Sequence, residues 1–231
     1  MQNDFKFDLI FSIGADEFCS EILKDCKLQK CLNPFDFVIG SDIYSRAVIL
    51  FNEFYRFFDF RDFVKIDSLG EFDVYQNVYT NLIFKNTFKS EITFGVQHSD
   101  LKTEFEKQSA ELLYKVINAQ NILLVYIDSL KNYEVVNEHT LNNVLMKLKI
   151  KYPGKNFNIL HFKQDINIPQ MNFREFAISD KIGQVIGNFT SLNFETQQLE
   201  YNKIFFKNYL SKFKLNESFV QKIKEFFTTW Y

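Results

Sequence analysis

The thiols and imidazoles that could serve as nucleophile and base are few: three cysteines, at 19, 26 and 31, and three histidines, at 98, 139 and 161. Cys19 falls in the first turn of a helix that the residue pattern predicts directly after a buried strand. At such a junction the unpaired amide N–H groups and the helix dipole favour negative charge, so a thiolate is favoured there. A thiolate nucleophile works with a nearby base. His98, expected in a loop between a strand and a helix cap, stands where a base is commonly carried. Each residue has a plainer alternative. Cys19 shares an apolar stripe with Leu23 and Cys26, where a cysteine serves as a small buried hydrophobe. His98 equally suits a capping or surface position. His161 sits inside an apolar strand and reads as a core histidine with a satisfied ring, and His139, at a helix start, as a solvated one. Cysteine spacings of seven and five, with no histidine nearby, do not match a zinc site, so no metal is expected.

The elements that must position these groups follow from hydrophobic periodicity. Residues 7–13 form a short apolar run of strand length. Gly14 closes it with a turn, and Asp16 is a plausible N-cap for the helix that follows. That helix carries apolar residues at 18, 19, 22, 23 and 26, a single face of period 3.6. Asp16 and Glu17 are ordinary helix-start charges; Glu17 is also a candidate general base or binder of a cationic group. Asn33 precedes Pro34 and is biased to extended backbone. Phe35 and Phe37 are expected to point inward, with Asp36 bonding local amides as a turn residue.

Ser41 and Asp42 cap a helix over 42–57. Residues 71–96 are rich in β-formers and predict two or three antiparallel strands, with a hairpin turn at Lys85-Asn86, ending at Gln97-His98. Ser99 and Asp100 can cap a helix over 100–119. Residues 121–127 and 157–162 are continuous apolar runs, as strands covered on both faces should be. A helix over 138–150 lies between them and ends at Pro153-Gly154. Residues 171–178 suit an edge strand. Two C-terminal helices, over 199–211 and 216–230, are expected to pack on each other through Phe205, Phe206, Leu210, Phe219, Ile223 and Phe226. Gly183-x-x-x-Gly187 lacks a preceding strand and is not a phosphate loop. The alternation predicts a single α/β domain spanning 1–231. Its mostly parallel central sheet carries flanking helices, a small antiparallel hairpin insertion and a helical C-terminus.

Composition narrows the function classes. The 231 residues include 29 Phe but only 7 Gly and 3 Pro, enough for a large core with little linker. Lys plus Arg number 27 against 29 Asp plus Glu. That balance argues against nonspecific nucleic-acid binding, which needs a basic surface. The N-terminus lacks the pattern of a signal peptide, and no apolar run approaches the ~20 residues of a membrane span. Three cysteines do not make a paired disulfide framework, so the expected setting is reducing and cytoplasmic.

Residues 7–40 also carry a family resemblance. Ser12-Ile13-Gly14, a helix, Leu28 and then Pro34-Phe35-Asp36-Phe37 resemble a bacterial family of papain-like cysteine peptidases, whose members often lie among surface-polysaccharide genes. The family pattern runs Ser-Leu-Gly-x-x-Cys, a helix, and Pro-Phe-Asp-Trp. In that register the family cysteine falls on Glu17, with Cys19 two residues on, and Phe37 stands for the tryptophan. Gln97-His98-Ser99-Asp100 resembles the family's histidine segment. The resemblance implies a thiol-dependent hydrolase or acyl transferase. Cys19 would attack, His98 would act as base, and Asp36 or Asp100 would orient the histidine, with Ser12, Gly14 and Glu17 lining the site. It implies no cofactor, and a substrate or partner that is a glycan precursor or a protein. The alternatives are a catalytically degenerate member that binds a glycan or a protein, and a glycosyltransferase-like enzyme, although no Asp-x-Asp motif is present.

Overall fold

The computed structural model describes residues 5–130, 136–170, 172–193 and 198–228. The chain enters through two short strands, β1 (Phe5–Phe7) and β2 (Leu9–Ser12), and turns into α1 (Glu17–Asp25). Asp16 caps this helix, its carboxylate accepting from the Phe18 N–H. A 3-10 turn over Pro34–Phe37 follows, closed by a capping box between Asn33 and Asp36. Next come α2 (Ile43–Phe51), β3 (Phe63–Leu69), β4 (Phe72–Asn77), β5 (Leu82–Lys89) and the long α3 (Phe94–Asn118). Then β6 (Asn121–Ile127), α4 (Glu138–Lys151) and β7 (Asn156–Gln164) alternate. The last part holds β8 (Phe173–Ser179), β9 (Ile182–Gly187), β10 (Thr190–Asn193), β11 (Gln198–Tyr201), α5 (Lys203–Leu210), β12 (Phe213–Leu215) and α6 (Glu217–Thr228).

The architecture is the expected α/β one. The central sheet runs in the order β2-β6-β7-β9-β8. Its first four strands are parallel, and β8 pairs antiparallel at the edge. Alternate residues of one strand feed two different cores. Ile122, Leu124 and Tyr126 of β6 face the core built with α2, α3, α4 and the β3-β4-β5 sheet. Leu123, Val125 and Ile127 face the core built with α1 and α5. Both faces of β6 are covered from Ile122 to Ile127, and this is why it reads as an unbroken apolar run. The hairpin insertion is the three-stranded antiparallel sheet β3-β4-β5. Among the described residues no helix is long and apolar enough to cross a membrane.

Several expected boundaries move. The helix begun at Asp42 ends at Phe51, because Glu53, Phe54 and Arg56 all take left-handed backbone, with φ of 55°, 60° and 55°. That bend drives Phe54 into the core beside Phe35 and Phe57. Lys85-Asn86 is not a turn but lies within β5, and the β4–β5 turn falls on the residues between Asn77 and Leu82. Nor does α3 start at Ser99 or Asp100. It begins at Phe94, whose ring stacks on Tyr75 at 4.2 Å. The Gln97 amide clips the preceding turn by bonding both the N–H and the C=O of Lys89. Among the described residues the last two helices do not pack on each other through one shared face. Phe205, Phe206 and Leu210 join the core under α1, whereas Phe219 of α6 packs against the opposite one. The side chain of Phe226 lies outside the described residues. β9 is a central strand with two glycines and a glutamine, so Gly183 and Gly187 are strand positions.

Candidate functional site

The candidate site lies at the ends of β2 and β6, where the parallel strands give way to loops. Gly14 does not take left-handed backbone. It is needed for space: a Cβ there would lie 2.3 Å from the Cys19 Cβ. The loop therefore passes directly against the first turn of α1, and Cys19 is pressed onto β6. Its Sγ donates to the Val125 carbonyl at 3.3 Å, and the residue is 0% exposed. Burial pushes this thiol up to about 12, and the neighbouring Ser12 hydroxyl offsets only part of the effect. Ser12 is itself buried: its Oγ accepts from the Gly14 N–H and its N–H donates to Gln29 Oε1.

Asp36 fits the local role expected of a turn residue, with two further partners. Its carboxylate accepts from the Asn33 N–H, from Gln29 Nε2 at 2.9 Å and from Lys24 Nζ at 2.7 Å. Burial raises its pKa despite those partners. It therefore ties α1 to the corner and orients Gln29 rather than a histidine. Glu17 is half-buried in the first turn of α1, and burial, Glu21 and Asp16 together raise its pKa.

His98 is in the other layer. It lies inside α3, 4% exposed, with its ring stacked on Phe58 at 4.7 Å and its Nε2 3.1 Å from the Phe58 carbonyl oxygen. That carbonyl must receive the Nε2 proton. Burial lowers the pKa of this histidine. Phe58 belongs to the core on one face of the sheet and Cys19 to the core on the other. The structure thus gathers Ser12, Gly14, Glu17, Cys19 and Asp36 but leaves His98 and Asp100 apart from them. Asp100 is exposed on α3.

A second polar cluster at the same strand ends is one that the residue pattern gave only in part. Asp128, directly after β6, accepts at Oδ1 from His161 Nε2 at 2.7 Å and at Oδ2 from the Gln164 N–H. Gln184 Nε2 donates to His161 Nδ1 at 2.9 Å. The ring is fully buried with both nitrogens engaged, as expected for a core histidine. Tyr201, from β11, places its hydroxyl 2.6 Å from Asp16 Oδ2 and 2.9 Å from the Asp128 carbonyl, and accepts from the Leu130 N–H. Its ring stacks on Phe18 at 4.0 Å. The position of Asp128 was a usable signal, because ligands of open α/β sheets sit beyond the carboxyl ends of parallel strands. Tyr201 offered none. Among the described residues no cluster of three metal-ligating side chains occurs.

The arrangement offers carboxylates, a phenol and amides, without an ionised thiol next to an imidazole. No family model matches the chain, and no solved structure matches it. A DOP1 homologue of Plasmodium falciparum is 23% identical over 171 residues. That match covers 72% of this chain but spans only 4% of the length of that protein.

Proposed function

We propose that this protein is a non-hydrolytic relative of the papain-like cysteine peptidase family, a binding module for a hydroxyl-rich glycan precursor. The observation that carries the loss of chemistry is Cys19. It is fully buried, hydrogen-bonded to a backbone carbonyl, raised in pKa, and separated by the sheet from His98. In the family register the nucleophile position holds Glu17, which cannot attack as a thiolate. The ligand end is the rim where β2 and β6 finish, formed by Glu17, Asp16 and Asp128. Carboxyl groups there accept from sugar hydroxyls, and Glu17, raised in pKa, can also donate when protonated.

The test is the rate of iodoacetamide labelling at each cysteine of the native protein, followed by mass across pH. Exposed Cys31 should label as an ordinary thiol, and Cys19 only on unfolding. Rapid native labelling of Cys19, with a midpoint well below about 8.5, would restore the thiol-hydrolase reading. Calorimetric titration with nucleotide sugars examines the ligand class: saturable binding weakened in Glu17→Gln supports a glycan precursor, and its absence shifts the reading to a protein partner.

A further inference from the structure

A cavity of about 130 Å³ lies on the open side of β2, away from the rim just described. Leu9, Ile10 and Phe11 form one wall, Leu112 of α3 another, and Leu215 with Phe219 a third. Its contents are set by how three elements are tied. At the upper end of β2, the Ser12 N–H is bonded to Gln29, which holds the 28–33 loop against the strand. At the lower end, Asn216 Nδ2 donates to Asp8, which holds the start of α6. The slot between them runs along β2. Leu215, Phe219, Val220 and Ile223 are only half-buried beside it, so α6 lines the slot without filling it.

Ser12 and Ile10 share one side of β2, because Phe11 and Ile13 turn to β6; the Ile13 N–H donates to Val125. The Ile10 N–H and C=O therefore point along this open edge. The polar end is at Asn33. This residue is 3% exposed and belongs to the cavity wall. Its Oδ1 accepts from the Phe35 N–H at 2.8 Å, which fixes the amide orientation. Its Nδ2 has no hydrogen-bond partner among the described residues. A buried donor without an acceptor is strongly disfavoured. Exposed Lys30 lines the same end and adds a positive charge.

The slot is apolar along β2 and α6, carries Asp8, Gln29 and Lys115 in its wall as well, and ends at Asn33 and Lys30; that combination fits one ligand chemistry. We propose that the cavity between β2, the 28–33 loop, α3 and α6 binds an aliphatic chain ending in a carboxylate, with the carboxylate at Asn33 and Lys30 and the tail running toward Leu215. On the basis that a water needs about 10–15 Å³ of such space, the slot takes roughly ten non-hydrogen atoms, the size of octanoate. This site stands apart from the rim residues and does not depend on the glycan reading.

The test is calorimetric titration of the full chain with sodium butanoate, hexanoate and octanoate. Affinity should rise roughly fourfold for each added methylene, the worth of burying one such group. Asn33→Asp keeps the oxygen that caps Phe35 but removes the donor and adds a negative charge. It should weaken octanoate binding at least tenfold. Val220→Trp fills the slot from α6 and should abolish binding, and circular dichroism checks that both variants fold. Octanol, which lacks the charge, should bind at least tenfold more weakly than octanoate. Absence of saturable octanoate binding to the wild type, binding that neither substitution changes, or equal binding of octanol overturns the proposal.

Discussion

The Tyr201 hydroxyl sits 2.6 Å from Asp16 Oδ2 and joins residues 185 positions apart in the chain. It also reaches the Asp128 carbonyl and receives the Leu130 N–H, so one phenol ties β11 to the ends of β2 and β6. Tyr201→Phe keeps the ring stacked on Phe18 but leaves three polar groups without this partner. Stability should fall by about 1–3 kcal/mol, read as a lower urea midpoint at unchanged slope. An unchanged midpoint would mean that water replaces the hydroxyl without loss.

Asp16 makes the same clasp sensitive to pH. Burial raises its pKa above the ordinary 3.8. Below 3.8 the group is protonated both folded and unfolded and adds no pH dependence. As pH rises through the folded value, a proton must leave a buried site, and stability falls. Asn at this position can still cap Phe18 and bond Tyr201, yet it cannot ionise. The melting temperature of Asp16→Asn should therefore gain on the wild type as pH rises from about 4 to about 8. A difference that stays flat over that range would show that Asp16 titrates as an ordinary surface acid.

How much of this was legible in the residues depended on range. β6 was readable because both its faces are covered and the six residues from Ile122 to Ile127 form one buried, nearly all-aliphatic run. Asp16 as a cap was readable because a cap is a local bond. β9 was not, since Gln184 breaks its apolar run. That glutamine is in the core because His161 needs a donor, and no local pattern reveals a partner 23 residues away. Ser99 and Asp100 look like caps and point to a later start for α3, while the real start is fixed by Tyr75 and Lys89 across the insertion. His98 then moved from an expected loop into a buried helix turn, and with it went the base for Cys19. Of the candidate site, the group around Ser12 and Cys19 was visible as a strand-to-helix junction, whereas the Asp128 and Tyr201 cluster exists only in the folded chain.

Gly14 and Cys19 should be coupled. A methyl group at 14 meets the Cys19 Cβ at 2.3 Å and its Sγ at 2.9 Å, and neither is the far end of a flexible side chain. Gly14→Ala should therefore cost at or beyond the upper end of the roughly 1–3 kcal/mol range for overpacking. Cys19→Gly in the Gly14→Ala background removes the clashing Cβ and should recover part of the loss, less about 1 kcal/mol for a glycine in a helix. A double-mutant cycle by urea unfolding measures this. Strictly additive losses would mean that α1 shifts freely away from the loop.

His98 predicts the opposite pH response from Asp16. Its pKa is lowered from 6.5 by burial, so the unfolded chain takes up the proton first. Stability is fully present above 6.5 and declines as pH falls from there through the folded value. His98→Phe keeps an aromatic ring on Phe58 but loses the donor to its carbonyl, a loss of about 1–3 kcal/mol at neutral pH. The variant should also lose the part of the acid decline that begins near 6.5. Melting curves from neutral to mildly acidic pH separate the two effects. A wild-type curve without that decline would place the His98 ring in contact with water.

Asp128 tests whether the buried histidine is held by one partner or two. Gln184 donates to Nδ1, so the Nε2 proton of a neutral ring points at Asp128 Oδ1, while Asp128 Oδ2 serves the Gln164 N–H. Asp128→Asn supplies one acceptor where two are used. Whichever way its amide turns, an NH2 group faces either the His161 N–H or the Gln164 N–H. The variant should lose about 1–3 kcal/mol. Because Gln184 still points its amide hydrogen at Nδ1, the Nε2–H tautomer should persist, visible in the nitrogen chemical shifts of the ring. A switch to the Nδ1–H form would show that Asp128, and not Gln184, sets the tautomer, since the glutamine amide would then have turned over to accept.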